Sequence, residues 1–288
     1  MSNRILAITG PTSGIGKSTV IELASEYDIL ILLCRNVDKG ESVKQLIQAR
    51  HPYKRVDIIK CDLSDLASVM QAATNILNRY THVDCLINNA GVVSLTRQKT
   101  VDGYEHMFGT NYLGHFLLTH TLFEKIMESE DKQIIVVSSG AYKYTAMGNH
   151  NFAYPLKFNP VKSYSKSKLA VLYFMQELDE RYSKHGLNVS AVHPGAVSTN
   201  LGKTKYNKKI GDFIYKVFDS FFISPEEGAL STIKVTKNRT LFNGKYVYEG
   251  KVVPVEKYGL NYFQRKKLIR DTLEELQLDQ FMYLNNNY

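Results

Sequence analysis

Only three cysteines, Cys34, Cys61 and Cys85, occur in 288 residues. Their odd number, and their places at or near the ends of apolar runs, argue against a disulfide framework and for small buried hydrophobes. The eight histidines form neither an HExxH pattern nor a Cys/His cluster, so no metal site is expected. No apolar run approaches the ~18 residues of a membrane span. The opening "MSNRILAITG" enters a strand-like run at once, with no room for a signal peptide, which points to a cytoplasmic protein. No linker-like stretch offers a place to cut, so residues 1–288 read as a single domain. Hydrophobic residues at 44% and charged residues at 22% exclude a disordered or fibrous chain and allow a large buried core. The formal charge of +8 is spread out, except around "KTKYNKK" from Lys203 to Lys209. Without a contiguous basic stripe, a nucleic-acid partner is not expected, whereas a polyanionic ligand suits the charge.

What is present is an alternation of apolar runs with helical patterns. "RILAIT" is followed by a helix from about 14, "DILILLC" by one from about 39, "RVDIIK" by one from about 64, and "VDCLIN" by one through roughly 101–128. "QIIVVS", a helix through about 161–184, and "LNVSAVH" complete the series. The strand-like runs are continuously apolar, as a sheet covered on both faces requires. The expected fold class is therefore α/β, a doubly wound parallel sheet of Rossmann type. Ligands in that architecture sit beyond the carboxyl ends of the strands.

The first strand end carries "AITGPTSGIGKSTV", Ala7 to Val20. Its Gly-Lys-Ser invites comparison with a triphosphate-binding loop, but the glycine that such a loop needs five residues earlier is Pro11, which lacks an N–H. The other frame, Gly10, Gly14 and Gly16 between a strand and a helix, suits a dinucleotide turn that offers backbone N–H groups and the helix dipole to a pyrophosphate. After the second strand comes Arg35, where an NAD-preferring enzyme usually has an acid. A guanidinium there can pair with a 2′-phosphate, which favours NADPH, although it also reads as a surface arginine. After the third strand stand Asp62 and Leu63, placed to contact adenine, with Asp62 or Ser64 equally readable as a helix cap. The fourth strand ends in "NNAG", Asn88 to Gly91, small and amide-rich.

"TGPTSGIG", "NNAG", Asn111, "VSS", "YSKSK" and "HPGAVST" occur in the order and at about the spacing of the short-chain dehydrogenase/reductases, which residues 4 to about 200 resemble. The stretch "CRNVDKGE" and the gap of 25 residues between Ser139 and Tyr164 resemble the retinol dehydrogenase-like, NADPH-preferring branch. The resemblance selects the dinucleotide reading of the glycine turn. It implies an NADP cofactor held by Gly10, Thr12, Ser13, Gly14, Ile15, Gly16, Arg35, Asp62, Leu63, Asn89, Ala90, Gly91, Tyr164, Lys168, Pro194, Gly195, Val197 and Thr199. A homodimer is also compatible with it.

Tyr164 and Lys168 are four residues apart on a predicted helix and so share one face. A phenol has a pKa of about 10, and a neighbouring positive charge lowers it, so Lys168 is expected to help Tyr164 exchange a proton with a carbonyl oxygen. The resemblance makes Ser139, rather than Ser138, the hydroxyl that holds the substrate oxygen. It also gives Lys168 a ribose contact, and Asn111 an anchoring role for the lysine through a backbone-bound water. Two segments would set specificity, 140–160 with Tyr142, Tyr144, Phe152, Tyr154 and Phe158, and 200–224. The latter contains "IGDFIYKVFDSFFI" with Phe213, Ile214, Val217, Phe218, Phe221 and Phe222 on one helical face. That face reads either as core packing or as a lid over an apolar substrate, with peripheral membrane contact through neighbouring lysines. The expected activity is carbonyl reduction, or the reverse alcohol oxidation, on a hydrophobic retinal-, steroid- or aldehyde-like substrate. A catalytically weak NADPH-binding sensor is the alternative, and the unsubstituted Ser139, Tyr164, Lys168 and Asn111 weigh against it.

Overall fold

The computed structural model describes residues 3–148, 157–195 and 224–282. Its chain begins β1 (Ile5–Thr9), α1 (Gly14–Leu23), β2 (Ile29–Cys34), α2 (Val37–Arg50), β3 (Arg55–Lys60), α3 (Leu66–Arg79) and β4 (Cys85–Asn88). A short α4 (His106–Phe108), a π-turn (Gly109–Leu113) and α5 (Gly114–Met127) then run together. They are followed by β5 (Gln133–Val137), a 3₁₀ turn (Gly140–Tyr144), α6 (Pro160–Tyr182) and β6 (Asn188–His193). After the segment that is not described come α7 (Pro225–Lys237), β7 (Tyr246–Tyr248), β8 (Lys251–Val252), a second 3₁₀ turn (Lys257–Leu260) and α8 (Tyr262–Glu275).

The strands form one sheet in the order β3-β2-β1-β4-β5-β6-β7-β8, parallel except for the final β7–β8 pair. The continuously apolar runs have the predicted consequence, since every residue of β1, β2, β4 and β5 is buried. Successive side chains of β1 point to opposite faces and both faces are covered. Ile5 and Ala7 enter a core with residues of α3, α5, α6 and α8, and Leu6 and Ile8 enter one with residues of α1, α2 and α7. The chain order reverses between β1 and β4, so the crevice for a ligand opens where those two strands end.

Local chemistry starts the helices. Asn36, Asn159 and Asn261 cap α2, α6 and α8 through their side chains, and Ser224 with Glu227 forms a capping box ahead of Pro225 at the start of α7. The cap of α3 differs from both sequence readings. Asp65 accepts the Ser68 N–H, whereas Asp62 Oδ1 accepts the N–H and hydroxyl of Ser64 in a turn before the helix. The helix expected from about 101 begins at His106, where Glu105 accepts the N–H groups of Met107 and Phe108. Gly114 is required at the start of α5, because a Cβ there would stand 2.5 Å from Leu63 O.

The three cysteines are buried and free. Among the described residues no group of His, Cys, Asp and Glu is placed to hold a metal, and no helix is long and apolar enough to cross a membrane.

The sequence pattern does not mark β7, β8 or α8. Helix α8 is largely polar, and an ion cluster joins it to α6. Glu177 is fully buried and is met by Arg181, Arg265 and Lys266, while Arg265 and Lys266 also pair with Glu180. Removing one partner of a buried charge costs far more than the pair contributes. Because Glu177 keeps Arg181 and Lys266, Arg265→Ala is expected to cost about 1.5–3 kcal/mol by urea denaturation. Lys267→Ala, at a more exposed pair with Asp271, should cost about 1 kcal/mol or less.

Candidate active site

The crevice is built from the strand ends inward. Gly10 and Gly14 take the left-handed backbone (φ +65° and +52°) that only glycine adopts without strain. Gly16 lies so close to the turn that a Cβ would stand 2.3 Å from Gly10 O and 2.4 Å from Asn89 Nδ2. Ser13 precedes α1 without capping it through its side chain, and Thr12, Ser13 and Ile15 are partly or fully exposed at the helix start. An open helix N-terminus behind a tight glycine turn fits a dinucleotide pyrophosphate.

Arg35, just past β2, is exposed. Its charge reaches His106, whose pKa is lowered first by burial and then by Arg35, with Asp62 opposing. Asp62 is half-buried with its Oδ1 engaged by Ser64, and Leu63 is buried. At the end of β4, Asn89 Nδ2 donates to Thr9 O (2.8 Å) and reaches Gly10 O (3.3 Å), tying the two turns together. Gly91 leaves room beside the centre, since a Cβ there would lie 3.3 Å from Lys168 Nζ and 3.6 Å from Asn111 Oδ1.

The two serines after β5 divide their tasks. The Ser138 hydroxyl is buried and donates to Lys168 O (3.0 Å), so it is committed to the backbone of α6. Ser139 accepts the Ala141 N–H (3.2 Å) at the head of the 3₁₀ turn and shares a hydrogen bond with Tyr164. The structure therefore brings Ser139, and not Ser138, to the tyrosine. Lys168 Nζ donates to Val137 O (2.9 Å) and lies 5.8 Å from the centre of the Tyr164 ring.

The expected lowering of Tyr164 by Lys168 is not what the chain alone produces. Burial pushes the Tyr164 phenol up to about 12, opposed only by the Ser139 hydrogen bond. Burial also pulls the Lys168 ammonium down to about 8. Desolvation disfavours the charged form of both groups and outweighs their attraction at this separation.

Asn111 sits in the π-turn. Its Oδ1 accepts the Val92 N–H (2.7 Å), and its Nδ2 donates to Val92 O (3.1 Å) and Ser167 Oγ (3.0 Å), while the Ser167 hydroxyl donates to Tyr164 O (2.7 Å). Asn111 thus braces the backbone under Tyr164 through the Ser167 hydroxyl.

Beyond β6, Pro194 and Gly195 turn the chain, with Gly195 at φ +91° and its N–H donating to His193 Nδ1 (3.2 Å). Val197, Thr199 and the aromatic stripe from Phe213 to Phe222 lie outside the described residues, as do Phe152 and Tyr154. The 140–160 expectation is corrected in part. Tyr142 does not line an open pocket. It is fully buried, its oxygen accepts the Glu256 N–H (2.8 Å), and its ring meets Tyr246 edge-on, whereas Tyr144 is exposed.

Sequence reasoning missed Thr9, His115, Ser167 and His193. His193 stacks on Tyr248 at 4.6 Å, and its Nε2 would be 3.0 Å from a Cβ at Gly140, the residue after Ser139. Thr9, Ser167 and His193 lie inside the quoted motifs without having been given a role, and His115 follows Asn111 by four residues.

A family profile described as short chain dehydrogenase matches residues 4–210. The chain is 36% identical over 248 residues to human "Retinol dehydrogenase 11", covering 85% of this chain and 77% of that protein. It is also 36% identical over 245 residues to "Retinol dehydrogenase 12" of Mus musculus, covering 84% and 77%. A solved structure of an uncharacterized protein from Mycobacterium paratuberculosis superposes with a TM-score of 0.71 at 27% identity, covering 98% of this chain and 95% of that chain. The NADPH-bound carbonyl reductase from chicken fatty liver shares the fold, with a TM-score of 0.66 at 23% identity, covering 88% and 100%. The chain belongs to the short-chain dehydrogenase/reductase family, in its retinol dehydrogenase-like branch, and is an oxidoreductase of carbonyl and alcohol groups.

Proposed function

We propose that the protein is an NADPH-dependent reductase of a hydrophobic aldehyde or ketone, running in reverse as an alcohol dehydrogenase. The observation that carries this reading is the meeting of Ser139 and Tyr164 in one hydrogen bond, with Lys168 buried one helical turn along. The bound nicotinamide would supply the hydride. Ser139 holds the carbonyl oxygen and Tyr164 gives it a proton. The phenol carries its proton near neutral pH, as a donor in the reducing direction must. Lys168 holds the ribose, and Asn111 fixes the segment beside it. Gly10, Thr12, Ser13, Gly14, Ile15 and Gly16 take the pyrophosphate, Asp62 and Leu63 the adenine side, Asn89, Ala90 and Gly91 the adjoining ribose, and Pro194, Gly195, Val197 and Thr199 the carboxamide.

Arg35 is assigned to the 2′-phosphate because its exposed guanidinium stands at the end of β2. Tyr142 is withdrawn from the substrate wall, and the apolar lining is assigned to the 200–224 segment. The same segment is proposed to make peripheral membrane contact for an otherwise cytoplasmic protein. A homodimer remains compatible with the family.

The reading is tested by following NADPH oxidation over a panel that includes retinal, a steroid ketone and a medium-chain aldehyde. Turnover on an apolar carbonyl is expected, and failure across the panel despite tight NADPH binding would favour a sensor instead.

Two substitutions probe the parts separately. Arg35→Ala should weaken NADPH binding by roughly ten- to a hundredfold and leave NADH nearly unchanged, because a charge-assisted contact is worth about 1.5–3 kcal/mol. Equal losses for the two cofactors in fluorescence titration would remove Arg35 from the 2′-phosphate. Tyr164→Phe keeps the ring and its packing but deletes the proton donor. With NADPH affinity retained, kcat should fall by roughly 10²–10⁴, the usual contribution of general acid catalysis. A variant that keeps more than about a tenth of wild-type kcat, with chemistry shown to be rate-limiting, would exclude Tyr164 as the donor.

A further inference from the structure

His115, on the first turn of α5, is buried and joins the glycine turn to the Asn111 segment. Its Nε2 is 2.8 Å from Thr9 Oγ1, and its Nδ1 is 3.0 Å from Asn111 O. The hydrogen-bond inventory of Thr9 fixes the proton positions. Thr9 Oγ1 accepts the N–H groups of both Asn89 (3.0 Å) and Ala90 (3.0 Å), which uses both of its lone pairs. Its single proton must then go outward. The acceptors in reach are Ile87 O at 3.5 Å and His115 Nε2 at 2.8 Å, and the shorter contact is the effective one. His115 Nε2 is therefore bare and its proton is on Nδ1, donated to the Asn111 carbonyl. Each partner then has one role, and the chain of bonds runs from β1 through the β4 turn to the π-turn.

We propose that His115 is a positioning residue, a neutral Nδ1–H relay that orients the Thr9 hydroxyl and so holds the Asn89–Gly91 turn against the Asn111 segment. The proposal rests on the cofactor reading given above, because that reading assigns the Asn89–Gly91 turn to a ribose of the dinucleotide. Two features support it. Burial holds His115 neutral, pulled down to about 4, and the nearby Lys168 charge acts in the same direction. A protonated ring would donate from Nε2 and present Thr9 Oγ1 with a third N–H, which it has no lone pair to receive. Because Asn111 also bonds Val92 and Ser167, a displaced Asn111 carbonyl would pass to both the β4 turn and the backbone under Tyr164.

The test has two arms. Two-bond ¹H–¹⁵N correlation on the protein with labelled histidine, assigned by comparison with His115→Leu or, if that variant fails to fold, His115→Asn, should show the Nδ1–H tautomer at pH 6–7, with or without cofactor. An Nε2–H tautomer or an imidazolium would overturn the relay even if NADPH binding and turnover are normal. The second arm is a double-mutant cycle read by NADPH titration and kcat. Thr9→Val and His115→Leu should each weaken NADPH about tenfold and lower kcat, and the double variant should lose little more than either. Additive losses, or a folded Thr9→Val with wild-type NADPH affinity and kcat, would reduce His115 to a packing residue. If wild-type protein binds no NADPH, the cofactor reading fails, while the tautomer arm still decides the relay.

Discussion

Lys168 is 4% exposed, its Nζ donates to Val137 O at 2.9 Å, and burial lowers its pKa from 10.5 to about 8. Keeping that ammonium charged in the folded chain costs on the order of 3 kcal/mol relative to water. Much of the surrounding design follows from this one buried charge. No acidic side chain pairs with it among the described residues, so a carbonyl dipole is its recorded partner. Gly91 supplies the space beside it, and a side chain there would come within 3.3 Å of Nζ.

The titratable neighbours are kept neutral. His115 and His193 are both drawn down to about 4, first by burial, and Lys168 contributes in each case. Tyr164 is held in its phenol form by burial. Among the described residues, the Lys168 charge thus lies near His115, His193 and Tyr164, which burial holds in their neutral forms. Loss of hydration is why the phenol is not ionised by the lysine alone. At 5.8 Å from ring centre to Nζ, the attraction is too weak to overcome the loss of hydration.

The sheet was legible in the sequence because parallel strands buried on both faces must be continuously apolar, and "ILAIT", "ILILLC" and "QIIVV" are. The glycine turn was legible because Pro11 rules out the competing loop. Tyr164, Lys168 and Ser139 were legible through the spacing that the family shares, and they do come together. What escaped was of two kinds. Single polar residues on apolar elements, such as Thr9 and His115, carry no periodic signal, and their partners lie far along the chain (His115 to Thr9 spans 106 residues). Choices between adjacent polar residues, as for the cap of α3, depend on sub-ångström placement that Asp62, Ser64 and Asp65 do not reveal by type.

The C-terminal part was the least legible, yet the site leans on it. The 3₁₀ turn that follows Ser139 is clamped by residues 256–259. Glu256 pairs with Lys143 (2.5 Å) and gives its N–H to Tyr142, Tyr173 donates to Tyr258 O (2.5 Å), and Gln176 donates to Gly259 O (2.9 Å). Gly259 must be small, since a Cβ would stand 2.4 Å from Val255 Cγ1 and 2.9 Å from Leu172 Cδ2. The family match ends at residue 210, and β7, β8 and α8 are short or polar, so neither motif nor periodicity marks them. Their contribution is mechanical. By holding Tyr142 and α6 together, residues 256–259 fix the distance between the strand end that carries Ser139 and the helix that carries Tyr164 and Lys168, a distance on which the proposed proton transfer depends.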